Sequence, residues 1–358
     1  MIRYTIVRTV WIFVILFTVV SISFTLLRVA PEYPPPTQEE REIYYERQVS
    51  DGLMTRRVER DEDTVEAIKN KEILLHEKAF YFDESEPGEP QLRIYEPIPI
   101  PRQYLTFINN LFTEFNWGVS QTIQPNVEVF EVVRSRIPVT MMLNLIALVF
   151  YIPIGFTLGI IAALRKNGVV DNVISFSVMI FISIPSFVIM SLLLLFFGYE
   201  LGWFLTQYPS QDITGWVRIS SIFLPVLGLS FGALASLTRV TRAELSEVLT
   251  SEFLLLARTK GLTKTQAVIK HAMRNSMVPL VPGIIFSFVG LLSGSVVIER
   301  IYGIPGTGRI YVDAMQENDY NLVLGITAFY TIVSLFAVLL VDLSYGLVDP
   351  RIRMGAKK

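Results

Sequence analysis

Residues 137–164 read IPVTMMLNLIALVFYIPIGFTLGIIAAL, a run of 28 residues without Asp, Glu, Lys or Arg. About 20 mostly apolar residues suffice for an α-helix to cross the hydrocarbon core of a bilayer, so this run predicts a transmembrane helix. Six such runs in one chain favour an all-α membrane protein with six transmembrane helices over a soluble protein with buried helices. The five other runs are 9–27, 172–199, 219–238, 275–298 and 320–341.

The composition supports a membrane protein and excludes several functional classes. Hydrophobic residues make up 51% of the 358 residues and charged residues 18%, with a mean hydropathy of +0.46. Soluble domains carry about 25% charged residues. The absence of cysteine excludes disulfides and thiolate metal sites, and His76 and His271 are too far apart in sequence to predict a metal site. We therefore expect no metal or cofactor on this chain and no binding of nucleic acid.

The charges divide into two opposed groups, which predicts the orientation in the membrane. Segment 31–135 contains 21 acidic and 11 basic residues, and the remainder contains 12 acidic and 20 basic residues. Excess Lys and Arg mark the cytoplasmic loops of membrane proteins. Basic residues occur after the second run, between the fourth and fifth runs, and in the tail. We therefore expect a multi-pass protein of the plasma membrane with both termini in the cytoplasm.

This orientation predicts four regions. Residues 1–30 form an N-terminal transmembrane helix, which we interpret as a retained anchor because no small-x-small cleavage site follows it. Residues 31–135 form an acidic extracytoplasmic insert with one or two short helices, extended or turning chain through 85–101, and an interfacial helix within 104–117. Residues 136–350 form a five-helix core with a cytoplasmic loop at 239–274, and residues 351–358 form a cytoplasmic tail.

Small residues recur at four-residue spacing in three of the runs. Helices in lipid associate through close packing of small residues, so this spacing predicts packed helices. The glycines concerned are Gly155, Gly159, Gly228, Gly232, Gly290 and Gly294.

The interiors of the runs carry no charge, and Asp342 is the one ionisable residue within an apolar stretch. We expect it to pair with Arg239 or Arg242 at the end of the fourth run. Since buried charges usually mark ion coupling, their scarcity counts against an ion-driven carrier. The chain also contains no P-loop lysine motif and no catalytic constellation, so no catalytic residue is predicted.

The loop between the fourth and fifth runs has the pattern of two helices joined by a turn. Ala257 to Lys260 end one helix, Gly261 provides a left-handed C-cap, and Thr263 caps the next helix. A short helical hairpin on the cytoplasmic face is suited to docking a soluble partner.

This loop resembles the EAA loop of ABC-importer membrane subunits, in the branch of the oligopeptide, dipeptide and nickel permeases. The matching residues are Ala257, Arg258, Thr259, Lys260, Gly261, Leu262 and Lys264, followed by His271, Arg274 and Asn275. The Glu-Ala positions of the general motif are Leu255 and Leu256 here, and its Leu-Pro is Met273-Arg274. Further similarity lies in 136–140, 183–187, 304–309, Asp342 and 349–351, so the resemblance covers about 1–30 and 102–353.

The resemblance implies a type I ABC importer-like bundle that forms half of a translocation path for dipeptides or oligopeptides. It implies a second homologous permease subunit, two ATPase subunits that bind ATP and Mg and grip the loop around 257–264, and an extracellular substrate-binding lipoprotein. The chain itself would be a non-catalytic subunit. Nickel chelates, glutathione or other small solutes stay open as substrates. The remote alternative is a membrane-anchored binding or sensing protein, which would not need a cytoplasmic hairpin.

Overall fold

A computed structural model describes residues 2–30, 34–76, 78–86, 88–209, 215–292 and 294–348. Five helical stretches are long and apolar enough to cross a membrane, and a bent helix pair raises the number to six if the pair is one span. The five are Thr5–Val29, Val129–Leu164, Trp216–Leu249, Leu280–Ile301 and Tyr320–Ser344. They coincide with five of the six predicted runs, and the bent pair coincides with the remaining one.

Four of the spans lie in single helices that are longer than their runs, whereas the third and fifth spans are each divided among shorter helices. The α-helices that contain the spans are α1 (Ile2–Val29), α5 (Val129–Leu164), α6 (Val169–Ser183), α7 (Ser186–Leu193), α8 (Trp216–Leu249), α12 (Leu280–Val289), α13 (Val296–Ile301) and α15 (Tyr320–Val348). The elements before α5 are α2 (Gln38–Ser50), β1 (Met54–Glu59), α3 (Glu62–Lys69), β2 (Phe80–Asp83), β3 (Leu92–Pro97) and α4 (Ile100–Glu114). The remaining α-helices are α9 (Glu252–Thr259), α10 (Lys264–Ala267), α11 (Met273–Ser276) and α14 (Thr307–Gln316).

The third span is broken in the middle. Helices α6 and α7 meet at an angle of 98°, and α7 continues as a π-helix over Leu194–Glu200. Pro185 lies at the break, where it caps α7 with a φ of −55°. Proline has no backbone N–H and disfavours the helical conformation of the residue before it, so Pro185 favours a break here, although α5 and α8 continue through Pro138, Pro153 and Pro225.

The chain forms two compact units, and the larger one comprises Met1–Leu16, Val133–Val312 and Phe329–Lys358. Two apolar clusters form its core. One joins α5, α7, α8 and α13 through Leu143, Ala147, Met190, Ile222, Leu224, Val226, Ile298, Tyr302 and Ile304. The other joins α5, α8 and the segment after α8, and is described with the candidate site. Since each cluster draws on several spans, these helices form one packed bundle.

The smaller unit comprises Phe17–Val132 and Asp313–Ala328. Its centre is an antiparallel sheet in the order β1-β3-β2, with Met54 opposite Pro97 and Phe80 opposite Tyr95. Helix α2 packs on the sheet through Tyr45, whose ring stacks on Phe80 and Tyr95 at centroid distances of 5.0 and 5.3 Å. Burial raises the pKa of Tyr95 to about 12, so its hydroxyl stays protonated and donates to Glu46 at 2.6 Å.

Asp319, just before α15, anchors the chain that leads into α5. Its buried carboxylate accepts hydrogen bonds from the Ser120 hydroxyl at 2.5 Å and from the backbone N–H groups of Gln121 and Thr122 at 3.0 and 3.1 Å. A carboxylate with several N–H and O–H donors is a stable way to bury a charge. This contact explains why residues 313–328 belong to the smaller unit.

Segment 31–135 contains the expected short helices and also a sheet that its sequence pattern does not predict. Helices α2 and α3 account for the one or two short helices, β3 lies within the stretch predicted as extended or turning chain, and α4 begins at Ile100, four residues before the predicted interfacial helix. The buried pattern of β1 gives the reason. Only Met54 of its six residues is buried, so the strand has no alternation of apolar residues to detect. The mostly all-α class therefore holds for the spans, and segment 31–135 adds a small sheet to it.

Candidate functional site: the hairpin after the fourth span

A helical hairpin follows α8, in the loop that the sequence singled out. Helix α8 ends at Leu249, and Ser251 precedes α9. After a turn, α10 begins at Lys264 and continues as a π-helix over Val268–Ala272 and then as α11. The next span begins at Leu280. The hairpin is thus a compact insertion between two membrane helices.

The turn of the hairpin has the predicted left-handed glycine and capping threonine. Gly261 has a φ of +93°, a conformation that residues with a side chain rarely adopt. The N–H of Leu262 bonds back to the carbonyl of Ala257 at 3.4 Å, which closes α9. Thr263 and Gln266 then form a capping box. Gln266 N–H donates to the Thr263 hydroxyl at 3.3 Å, and Thr263 N–H donates to the Gln266 side chain at 3.1 Å.

One face of the hairpin is buried against the ends of two spans. A single apolar cluster contains Ala163 of α5, Leu245 of α8, and Leu254, Ala267, Val268 and Ala272 of the hairpin. Ala257 is also buried, with 8% of its surface exposed, which accounts for a small residue at this position. The cluster therefore packs the hairpin directly against α5 and α8.

The other face of the hairpin is exposed. Its tip consists of the exposed residues Arg258, Thr259, Lys260 and Gly261, next to half-buried Leu262. Helix α10 begins at Lys264, whose side chain lies outside the described part of the chain. Apolar residues flank the tip: Leu255 and Leu256 are 63% and 56% exposed, and Ile269 is 65% exposed. An apolar surface with a basic tip is suited to contact with another protein.

The predicted glycine packing involves α5 and α8 at two of the positions. A Cβ at Gly159 would lie 2.6 Å from the Thr241 Cβ, and one at Gly155 would lie 3.1 Å from Leu237. The Thr238 hydroxyl donates to the carbonyl of Gly155 at 3.2 Å. Only a residue without a side chain permits such an approach, so α5 and α8 are in backbone-to-side-chain contact here.

The other four glycines differ in how much space a side chain would have. A Cβ at Gly228 would lie 2.6 Å from Met190 of α7, and one at Gly294 would lie 2.2 Å from the backbone nitrogen of Gly308. Gly294 is in the chain before α13 rather than in a helix. Around Gly232 and Gly290 the described part of this chain leaves open space within 4 Å.

The ion pairs differ from the prediction. Asp342 forms an ion pair with Arg8 of α1, and Arg242 forms one with Asp171 of α6 at 2.5 and 2.7 Å. The predicted pairing of Asp342 with Arg239 or Arg242 is therefore wrong for Arg242, and Arg239 is an exposed residue. Arg8 and Asp171 directly precede the first and third runs, so the charges at the ends of the fourth and sixth runs alone do not identify these pairs.

A second correction concerns Glu299. Its carboxylate is 2% exposed and lies within the fifth span, so the expectation that Asp342 is the one ionisable group in an apolar stretch is wrong. It accepts hydrogen bonds from the Thr140 hydroxyl at 3.0 Å and from the backbone N–H of Arg309 at 2.8 Å. Gly306 lies against it, because a Cβ there would be 2.3 Å from the Glu299 Cδ.

Two features of the sequence accompany Glu299, but neither was interpreted as a sign of a buried carboxylate. It directly follows the fifth charge-free run, where a search for uninterrupted runs stops. The glycines at 303, 306 and 308 were interpreted as a tight turn. Gly306 and Gly308 flank the start of α14, where the backbone N–H of Arg309 donates to the Glu299 carboxylate, and a helix N-terminus is a favourable place for an anion.

Apolar spans and a hairpin with a buried base and an exposed tip define this chain as a multi-pass membrane component. Comparison with known proteins places this component in a family. Residues 155–354 match the family described as binding-protein-dependent transport system inner membrane component.

Similar proteins carry names of the same kind. The chain is 38% identical, over 72% of its length and 82% of the relative's, to the dipeptide transport system permease protein DppB of Lactococcus lactis subsp. cremoris. It is 32% identical, over 71% of its length and 81% of the relative's, to the oligopeptide transport system permease protein OppB of Haemophilus influenzae. A solved structure of the MetNI methionine ABC transporter aligns with 63% of this chain and 96% of its own at 19% identity, with a TM-score of 0.44.

The chain therefore belongs to the family of binding-protein-dependent transport system inner membrane components. It is a multi-pass membrane protein and the membrane permease component of such a system, which is the non-catalytic part. The resemblance inferred from the hairpin residues is confirmed by this match.

Proposed function

We propose that this chain forms half of the translocation path of an ATP-driven importer for short peptides. A second homologous permease subunit forms the other half, and two ATPase subunits bind ATP and Mg beneath them. An extracellular binding lipoprotein delivers the peptide. The names of the relatives, which include dipeptide and oligopeptide permeases, support peptides over nickel chelates, glutathione or other small solutes.

The observation that carries this proposal is the hairpin with its buried base and exposed tip. The apolar cluster around Leu254 and Val268 fixes the base to α5 and α8, so the hairpin and the two spans move together. The exposed residues around Gly261 are free to contact an ATPase. Closure of the two ATPase subunits would move both hairpins, and the spans attached to them would change from outward-facing to inward-facing.

The roles of the tip residues follow from their positions. Gly261 makes the left-handed turn, Ala257 fills the buried base, and Leu262 covers it. The exposed charges of Arg258 and Lys260 make polar contacts with the ATPase, as would Lys264, and Thr259 lies between them. This arrangement requires the hairpin, the loop at 165–168 and both termini to lie in the cytoplasm, with segment 31–135 outside.

The substitution Gly261→Asp tests the proposal. Because open space surrounds Gly261 within 4 Å, the new side chain meets no neighbour, and its effect comes from strain at a φ of +93° and from a negative charge at a basic tip. We expect loss of peptide uptake and of ATP hydrolysis stimulated by the binding protein, measured on the transporter reconstituted in vesicles. Insertion of the chain into the membrane should be unchanged.

Gly232→Ala is the matched control, since Gly232 also faces open space but has a helical φ. It should transport at the wild-type rate. Wild-type uptake by Gly261→Asp would refute the role of the hairpin. Loss of uptake in both variants would show that any glycine replacement in the bundle is damaging and would remove the hairpin-specific interpretation.

A further inference from the structure

Helix α4 lies beside the membrane span formed by α1. The ring of Phe107 stacks on Phe24 with a centroid distance of 4.9 Å, and Tyr104 meets Phe24 edge-on at 5.7 Å. The hydroxyls of Tyr104 and Ser21 form a hydrogen bond of 2.7 Å. All of these residues belong to the smaller unit. Helix α4 is thus packed against the side of α1, not beyond its end.

The position of these contacts along α1 gives the depth of α4. The span covers 25 residues and ends at Val29. At 1.5 Å per residue it is about 37 Å long, which exceeds the hydrocarbon thickness of about 30 Å by roughly 4 Å at each end. Ser21 is about 12 Å and Phe24 about 7 Å from the end of the helix. Both contacts with α4 therefore lie inside the hydrocarbon region, at its edge.

Arg28 marks the same boundary independently. Its guanidinium lies 5.2 Å above the ring of Phe24 and donates to the side chain of Asn321 at 2.9 Å. A long basic side chain at the end of a span places its charge at the level of the headgroups while its stem stays in the apolar layer. Phe24 and α4 are therefore on the apolar side of this boundary.

The exposed surface of α4 has an apolar side with Leu105 and Phe112 and a polar side with Arg102, Thr106, Asn109 and Thr113. Leu105 and Phe112, seven residues apart, are 67% and 73% exposed, and Phe115 directly after the helix is 62% exposed. The charged residues of α4, Arg102 and Glu114, are near its two ends. The exposed Thr113 hydroxyl donates to the carbonyl of Asn109 at 2.8 Å, which satisfies it without water.

We propose that α4 is a membrane-embedded interfacial helix whose apolar side, with Leu105 and Phe112, contacts lipid acyl chains. An amphipathic helix in the interface buries its apolar face about 5–10 Å below the boundary, which agrees with the depth obtained from α1. The leaflet is the outer one in the orientation proposed above. The helix anchors the smaller unit in the bilayer, so that segment 31–135 is not a freely suspended insert.

The absence of cysteine makes a direct test simple. Single cysteines replace Leu105 or Phe112 in the full chain, assembled with its partner subunits in lipid bilayers, and carry a nitroxide label. Collision with oxygen, which concentrates in lipid, is compared with collision with a water-soluble nickel chelate. Ile22→Cys in α1 is the lipid-facing control, and Ile43→Cys in α2 is the water-facing control; these residues are 55% and 60% exposed.

Labels at residues 105 and 112 should match that at Ile22, with oxygen collisions several-fold above those at Ile43. Accessibility like that at Ile43 would overturn the proposal. An immobile label that neither reagent reaches would also overturn it, because it would show that another protein covers this face. Phe115→Cys, directly after the helix, provides a further labelling site if a helix variant fails to assemble.

Discussion

Glu299 is a carboxylate held inside an apolar span by neutral donors. Its partners are the hydroxyl of Thr140 and backbone N–H groups at the start of α14, and the Thr140 hydroxyl in turn accepts from the N–H of Thr307 at 2.9 Å. Burial of a charge without donors costs several kcal/mol, so the arrangement fixes the turn between α13 and α14 to α5. A side chain at Gly306 would occupy the position of the carboxylate, and a Cβ at Gly308 would lie 2.7 Å from the backbone nitrogen of Val296.

Replacing Glu299 with Gln should destabilise the bundle. The amide keeps one acceptor and turns its NH₂ group toward one of the donors, so one buried donor loses its partner. The expected loss is about 1–3 kcal/mol in the free energy of unfolding, measured by denaturation in detergent. Glu66→Gln, at an exposed position of α3, should have no effect. Equal stability of the Glu299→Gln and wild-type proteins would contradict the hydrogen bonds described here.

Gly306→Ala tests the contact between the Glu299 carboxylate and the turn before α14 by changing the turn instead of the carboxylate. The added methyl would lie 2.3 Å from Glu299 Cδ, so either the turn or the carboxylate must move. We expect a lower midpoint of thermal unfolding for the purified protein, by several degrees. Gly283→Ala is the matched control, since a Cβ at Gly283 meets open space within 4 Å. A midpoint shift of equal size in both variants would mean that the contact between residue 306 and Glu299 does not cause the loss of thermal stability.

Among the elements, α6 and α8 are joined by the most buried ion pair described. The Asp171 side chain is 1% exposed and that of Arg242 30% exposed. Asp171 also accepts from the backbone N–H of Asn167 at 2.8 Å and from the Ser175 hydroxyl at 3.2 Å. The pair therefore fixes the start of the broken third span to α8, a few residues before the hairpin.

A double-mutant cycle measures this connection. Asp171→Asn and Arg242→Met are made alone and together, and the free energy of unfolding is determined in detergent. Loss of one partner of a buried pair costs about 3–5 kcal/mol, and the partial exposure of Arg242 reduces the expected single-variant loss to about 2 kcal/mol. The double variant should lose less than the sum of the single variants. Additive losses would show that the two side chains do not interact.

How far the sequence predicts these elements depends on which physical signal each one leaves. Uninterrupted apolar runs identify all of the spans, because the length of a bilayer-crossing helix is fixed. The turn at Gly261 is predictable because a left-handed residue and a capping Thr have local signatures. The 98° bend at Pro185 and the strand β1 leave weaker signals, since prolines also occur in straight spans and β1 is mostly exposed. The ion pairs of Asp342 and Asp171 depend on how the helices pack, which no local pattern contains.

For the whole molecule, the split of charge between segment 31–135 and the remainder is the basis of the proposed orientation. That segment has a net charge of −10 and the remainder +8, and the Lys and Arg of the loops at 165–168 and 239–274 are the charges that the positive-inside rule counts. The segment is also a folded unit with a sheet and its own contacts to Asp319. A unit of this kind is expected on one side of the membrane, and the hairpin on the other.

Labelling of single cysteines in intact cells tests this arrangement. Glu72→Cys lies in segment 31–135, while Lys166→Cys and Thr259→Cys lie in the loop after α5 and in the hairpin, all at exposed positions. A membrane-impermeant maleimide should label residue 72 in intact cells. It should label residues 166 and 259 only after the cells are permeabilised, because both face the cytoplasm in the proposed orientation. Labelling of residue 259 in intact cells would place the hairpin outside, where no ATPase could reach it, and the proposed function would then be wrong whatever the substrate.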